Sequence, residues 1–154
     1  MITTTTPRMS HALPADHRGA LMSLAREVDI PPHTRLFNEG GRADHFWVVR
    51  SGAVALDMRV PGRQPVVIET LGFDELVGWS WLFRPHVWQL GAEAVGPVRA
   101  WEFDADKVRE MCRDNPAMGE SVAGWVGQVI AHRLQATRVR LLEVYSPYDS
   151  GVPG

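Results

Sequence analysis

The chain has 154 residues, 45% of them hydrophobic, with 16 Lys and Arg against 18 Asp and Glu and a formal net charge of -2. That length supports one domain with a real core but not two of ordinary size, and so small a charge supplies no field to draw the whole chain onto nucleic acid or anionic lipid. The lone Cys112 excludes an intrachain disulfide, and with neither the apolar core of a secretory signal nor a membrane-spanning run, a soluble cytoplasmic protein is expected.

The threonine-rich start lacks periodicity, so residues 1–12 are expected to form a mobile leader, followed by one domain over 13–145 and a flexible tail over 146–154. In "ADHRGALMSLAREV" the apolar Leu21, Leu24, Ala25 and Val28 fall at helical spacing and predict a short amphipathic helix that ends before Pro31-Pro32. Short apolar runs follow: "RLF", "HFWVVR", "AVALDMRV", "PVVIETL", "LGAEAV" and "VRAWEF". Turn residues cut them at Gly40-Gly41, Ser51-Gly52, Pro61-Gly62, Gly72 and Gly96-Pro97. Many short strands at close spacing predict a closed or sandwiched antiparallel structure. "DADKVREMCRDN" reads as a short helix, and Asn115-Pro116 opens a longer one over 115–145, since proline suits a first helical turn. Its apolar residues, among them Val122, Trp125, Val129, Leu134 and Leu141, recur mostly at spacings of three and four. A helix of about thirty residues would extend about 45 Å, beyond what a small β-domain covers, so a homodimer that pairs two such helices is expected.

The order helix, β-roll, short helix, long helix resembles the cyclic-nucleotide-binding domain family, the sensor half of catabolite activator protein-like regulators. The resemblance spans about Pro14 to Val144 and is carried by "LFNEGGRADHFWVVRSGAVAL", by "VIETLGFDELVGWSWLF" and by "AHRLQAT", each on the expected type of element. It implies a mainly β fold with flanking helices, a double-stranded β-helix of jelly-roll type with an N-terminal helix and a long C-terminal helix. It also implies a sensor without catalysis, metal or other cofactor, and a pocket that takes a cyclic nucleotide.

The pocket motif departs from the family at its polar anchors. In the family a glycine precedes a glutamate that holds the ribose, and an arginine and a small polar residue further on hold the cyclic phosphate. Here Gly78 is present, Trp79 stands at the glutamate position, and Trp88 and Gln89 stand at the other two. Indole carries one donor and no charge, whereas guanidinium offers a two-pronged charged grip. Losing one charged hydrogen bond costs on the order of 1.5–3 kcal/mol, so ordinary recognition of cyclic AMP or cyclic GMP is not expected. Two readings of "LVGWSWLFRPHVWQL" remain open. Trp79, Trp81 and Trp88 fill a collapsed pocket, or the amides of Trp79 and Ser80 still hold an anion while indole faces stack on a ligand, with Arg84 or His86 replacing the lost arginine. From the long helix, Arg133 and Thr137 match the family's pocket-lining positions, with Arg138 beside them.

Three functions compete at this stage: a regulatory or adaptor domain acting through its dimer helix, a purely structural interaction module with a tryptophan-filled pocket, and a cupin-like metal enzyme. The last needs convergent ligands, yet His33, His45, His86 and His132 are scattered and form no H-x-H pair. Cys112 reads as a small buried hydrophobe and Ser51 as turn chemistry. The final "SPYDSGVPG" carries helix breakers and no room for a DNA-reading helix, so no sequence-specific DNA binding is expected.

Overall fold

The computed structural model describes residues 7–151, with side chains through residue 144. In chain order the elements are α1 (Met9–Ala12), α2 (Ala15–Met22), β1 (Arg26–Ile30), β2 (Arg35–Phe37), β3 (His45–Ser51), β4 (Val54–Met58), β5 (Val66–Leu71), β6 (Leu76–Val77), β7 (Gly91–Ala94), β8 (Val98–Asp104), α3 (Ala105–Asp114) and α4 (Pro116–Gly151). A three-residue 3-10 turn, Ser80–Leu82, separates β6 from β7. The strands form two antiparallel sheets, ordered β1-β8-β3-β6 and β2-β7-β4-β5. One hydrophobic core joins the sheets to the helices. The fold is the expected β-roll of jelly-roll type flanked by helices.

Each of the six apolar runs becomes a strand because its inward residues meet partners across the roll. Val54 and Leu56 of β4 and Ala92 and Ala94 of β7 are buried at paired or adjacent register positions. At the turn after β3, Gly52 has φ +88°, and a Cβ there would stand 2.3 Å from the carbonyl oxygen of Pro97. Only glycine lets the β3–β4 and β7–β8 turns approach so closely.

Three expectations are corrected. The N-terminal helix stops at Met22, and Val28 belongs to β1, which pairs from Arg26↔Glu102 to Ile30↔Val98. The alternation of Val28 and Ile30 with charged neighbours was a strand signal, and the cross-strand ion pairs Arg26–Glu102 and Asp29–Arg99 favour that pairing. Residues 9–12 of the expected leader form α1, because Met9 is buried and the turn before β6 captures its backbone. Met9 N–H donates to the Asp74 carbonyl at 3.0 Å and Ser10 N–H to the Asp74 carboxylate at 2.9 Å. Residues 146–151 of the expected tail continue α4, whose 36 residues extend about 54 Å. The rest of the expected leader and tail, 1–6 and 152–154, lies outside the described residues.

Helix α4 is fixed along its length by two kinds of contact. Its first half packs on α3 and α1 with Met118, Val122, Trp125, Val126 and Val129 buried in the chain's own core. Further on it runs beside β5, an edge strand, where Arg140 Nε donates to the Val67 carbonyl at 2.9 Å. The expected dimer stripe therefore divides. Val122, Trp125 and Val129 face their own roll, whereas Leu134 is 71% exposed and Leu141 is half-buried. The step from residue 129 to 134 is five residues, which turns about 140° around the helix at 3.6 residues per turn. The continuation of the inward stripe is Arg133, four residues after Val129.

Six rings organise the interior in two columns. Trp81, Phe46 and Phe103 stack at 3.9 and 4.7 Å between centroids, and Trp88, Phe37 and Trp47 at 3.8 and 5.8 Å. Phe46, fully buried between two rings, is the middle of the first column. Phe46→Ala should lower the unfolding free energy by about 3–5 kcal/mol, read from urea denaturation followed by circular dichroism.

Candidate functional site

Gly78 follows β6 with φ +89°, the conformation that turns the chain into the Ser80–Leu82 segment. Trp88 returns to the same place from the other side of the loop. Its backbone is held on both sides, since its N–H donates to the Gly41 carbonyl and its carbonyl accepts from Gly40 N–H, each at 2.9 Å. With that backbone fixed, the indole lies over Gly78 and flat on Phe37, with rings 11° from parallel. A Cβ at Gly78 would stand 2.3 Å from Cζ3 and 2.6 Å from Cη2 of Trp88, and 3.3 Å from Cζ of Phe37. The ring uses the space that the missing Cβ leaves, and Trp88 is only 4% exposed.

What remains is a cavity of about 10 Å³ lined by Phe37, Leu56, Gly78, Trp79, Ser80, Trp88, Leu90 and Arg133. That volume admits one water molecule and no nucleotide. Five sequence candidates, Gly78, Trp79, Ser80, Trp88 and Arg133, thus meet around one remnant. Gln89 is exposed and folds back, its Nε2 donating to the Val87 carbonyl at 3.1 Å. Thr137 is half-buried and is not among the residues that line the cavity. Trp81 belongs to the other ring column, where its Nε1 donates to the Gly78 carbonyl at 3.2 Å.

Arg133 reaches this cavity from α4 and is 4% exposed. Nη1 pairs with the Glu69 carboxylate on β5, and Nη2 donates to the Leu76 carbonyl at 3.0 Å. Glu69 also binds Nε2 of His132, so one carboxylate grips two consecutive residues of the helix. Burial draws the Arg133 guanidinium below the usual arginine value, while Glu69 opposes that shift. Its Nε is buried with no hydrogen-bond partner. The cation from the long helix is therefore neutralised before any phosphate could meet it.

Neither proposed substitute for the missing cassette arginine enters the site. Arg84 is exposed and His86 half-buried, and neither lines the cavity. Burial, then Arg109 and Arg84, push the His86 imidazole below its ordinary value, which favours a neutral ring at neutral pH. Among the described residues no group of three or more His, Cys, Asp or Glu could hold a metal ion. Cys112 is half-buried and burial raises its thiol, which makes it a poor nucleophile. No helix among the described residues is long and apolar enough to cross a membrane.

Sequence reasoning missed Phe37, Leu56, Leu90 and Glu69. Phe37 ends β2 and Leu90 directly precedes β7, so both read as ordinary strand residues, and nothing local ties Glu69 to a helix 64 positions later. The signal for Glu69 was a lone carboxylate within the apolar run "VVIETL".

Comparison with known proteins agrees with the fold. A family model for the cyclic nucleotide-binding domain matches residues 27–115. The chain belongs to that family. The CRP-like cAMP-activated global transcriptional regulator of Mycobacterium tuberculosis is 27% identical over 125 residues, which cover 81% of this chain and 54% of the relative. The chain thus spans about half the length of the curated relatives it matches. A cyclic nucleotide-binding domain from Methylobacillus flagellatus superposes with a TM-score of 0.74 at 18% identity, over 83% of this chain and 72% of that one. A cyclic nucleotide-binding type protein from Geobacter metallireducens gives 0.70 at 22% identity, over 85% and 99%.

Three substitutions probe the packing. Gly78→Ala places a methyl group in the volume of the Trp88 ring at a positive φ, and should cost roughly 2–4 kcal/mol in urea unfolding. Glu69→Ala leaves the Arg133 guanidinium buried without its carboxylate, and should cost about 3 kcal/mol, whereas Arg133→Met should cost less because an apolar chain removes the charge itself. Equal losses for the last two would contradict the assignment of Glu69 as the neutralising partner.

Proposed function

We propose that this chain is a non-catalytic regulatory or adaptor domain that acts through helix α4 and does not take cyclic AMP or cyclic GMP. The observation that carries the reading is the Trp88 ring seated on Gly78 with room for one water beside it. A nucleotide would have to displace that ring and would then find no free cation, since Arg133 is held by Glu69. The Mycobacterium tuberculosis relative is by name a transcriptional regulator activated by cAMP. From it this reading takes regulation and leaves the nucleotide aside.

The second part of the proposal is the means of action, a homodimer along α4. Gly124, Gly127, Ala131, Leu134, Arg138 and Leu142 lie at spacings of three and four on the helix face turned away from the roll, and all are exposed. Small residues there let a second helix approach closely, while Leu134 and Leu142 supply apolar area to bury. A structural interaction module without any switch would use the same face, and the filled pocket supports that reading too.

Calorimetric titration of the wild-type chain with cyclic AMP and cyclic GMP should show no micromolar binding; micromolar or tighter affinity would overturn the nucleotide part of the proposal. In sedimentation at tens of micromolar the wild type should run as a dimer. Leu134→Glu, which removes apolar area from the seam and puts a carboxylate there that must be desolvated, should shift it toward monomer. A wild type that stays monomeric would remove the dimer helix.

A further inference from the structure

Another cavity, of about 330 Å³, shares no lining residue with the one beside Gly78. It lies on the opposite face of the β2-β7-β4 sheet: Leu56 lines the inner cavity and its neighbour Asp57 lines this one, since successive residues of a strand face opposite ways. Its floor is an ion pair laid across three strands. Arg35 of β2 reaches over Gly91 of β7 to Asp57 of β4, where Nη1 pairs with one carboxylate oxygen and Nη2 donates to the other at 3.1 Å. Arg35 Nε donates to the side-chain oxygen of Asn38 at 2.9 Å. A Cβ at residue 91 would stand 2.2 Å from Arg35 Nη2 and 2.4 Å from Asp57 Oδ1, so a side chain there would lift the pair off the strand. The rim is tied as well: Glu39 accepts from the Arg59 N–H at 2.9 Å and joins the turn after β2 to the end of β4.

The charges around this cavity do not cancel. Asp57 neutralises the Arg35 guanidinium more than Glu93 does, whose carboxylate stands 3.5 Å from Nη1. Glu93 therefore keeps most of its negative charge, and Glu39, which holds a backbone N–H, has no cation on it among the described residues. Against these two carboxylates stands one cation without a carboxylate partner among the described residues, the exposed guanidinium of Arg59. We propose that the cavity binds a basic amino acid, with the ligand carboxylate on Arg59 and its two cationic groups on Glu39 and Glu93. A guanidinium offers a carboxylate two parallel charged hydrogen bonds, and the two acidic side chains call for two donors that carry charge. Glu39, Asp57 and Glu93 against Arg35 and Arg59 leave one negative charge, which a ligand of net charge +1 cancels. A simple anion would face three carboxylates, and a simple amine would leave Arg59 without a partner. The volume lies at the lower end of small-molecule sites, about 300–1,000 Å³, and suits one amino acid. Nothing in this site depends on the filled pocket or on the pairing of α4.

The experiment uses the full chain with L-lysine as the probe, at low ionic strength because salt screens exposed charges. Calorimetry should give a Kd of about 1 mM or tighter, and the backbone amide resonances of Asp57, Arg59 and Gly91 should shift along the same titration curve. Two relatives of the probe separate its groups. L-Norleucine lacks the side-chain ammonium and cadaverine lacks the carboxylate, and each should bind about fivefold or more weakly, as loss of one partly exposed ion pair implies. Arg59→Ala should weaken lysine by a similar factor and leave cadaverine unchanged, whereas Glu93→Gln should weaken both. Should either variant fail to fold, the comparison of the three compounds on the wild type decides alone. A wild type that does not bind lysine at millimolar concentration, norleucine or cadaverine binding as tightly as lysine, or lysine affinity untouched by either substitution would each overturn the proposal. None of these outcomes bears on cyclic nucleotide binding or on the dimer, which the titration and sedimentation above decide separately.

Discussion

The contact on which the rest of the molecule depends is that of an indole ring with a glycine that has no Cβ. Gly78 sits where the chain must leave β6 with a positive φ, and the same absence of a side chain gives Trp88 a place to lie. Once the ring is there, Phe37 has a stacking partner, Trp47 extends the column, and the interior of the roll is solid. A large aromatic buries roughly 150–250 Å², so this one side chain replaces much of the surface that a bound ligand would have covered. Packing the roll and closing the cavity beside Gly78 are thus one event.

The electrostatics follow the same logic. A guanidinium buried on α4 needs a carboxylate, and with tryptophan at the position after Gly78 none is available from that loop. Glu69 supplies it from β5 and takes His132 as well. Because His132 and Arg133 are adjacent, their side chains diverge by about 100° around the helix, and one carboxylate holding both opposes rotation as well as sliding. Breaking such a pair in the interior leaves a charge unmatched, so the grip is kept or lost as a unit.

Much of this was legible in the sequence, and the parts that were not share a cause. The six apolar runs gave their strands because alternation along a strand is a local property. So did the short helix, whose start is marked by Asp104 capping Lys107 N–H. The substituted anchors Trp79 and Trp88 were legible through the glycine before them. Residues at longer range were not. β1 was read as helix because Leu21 to Val28 satisfy helical spacing until β8 competes for the backbone. The single stripe on α4 was drawn through Val129 and Leu134 because spacing was counted residue by residue without summing the rotation. Glu69 and Phe37 become site residues only through contacts that the roll creates.

The Arg140 bond to Val67 has an implication for solubility. β5 borders its sheet, and a strand border carries unpaired backbone groups that invite another strand to join. Here α4 lies along that border, with Arg140 occupying a carbonyl that would otherwise be free and Pro65 preceding the strand without an N–H to offer. The helix therefore has a length requirement independent of any partner: it must reach Arg140 to keep the sheet from recruiting strands of neighbouring molecules. Shortened forms of the protein that stop before this point would keep the ring columns intact and still tend to associate through an open sheet edge.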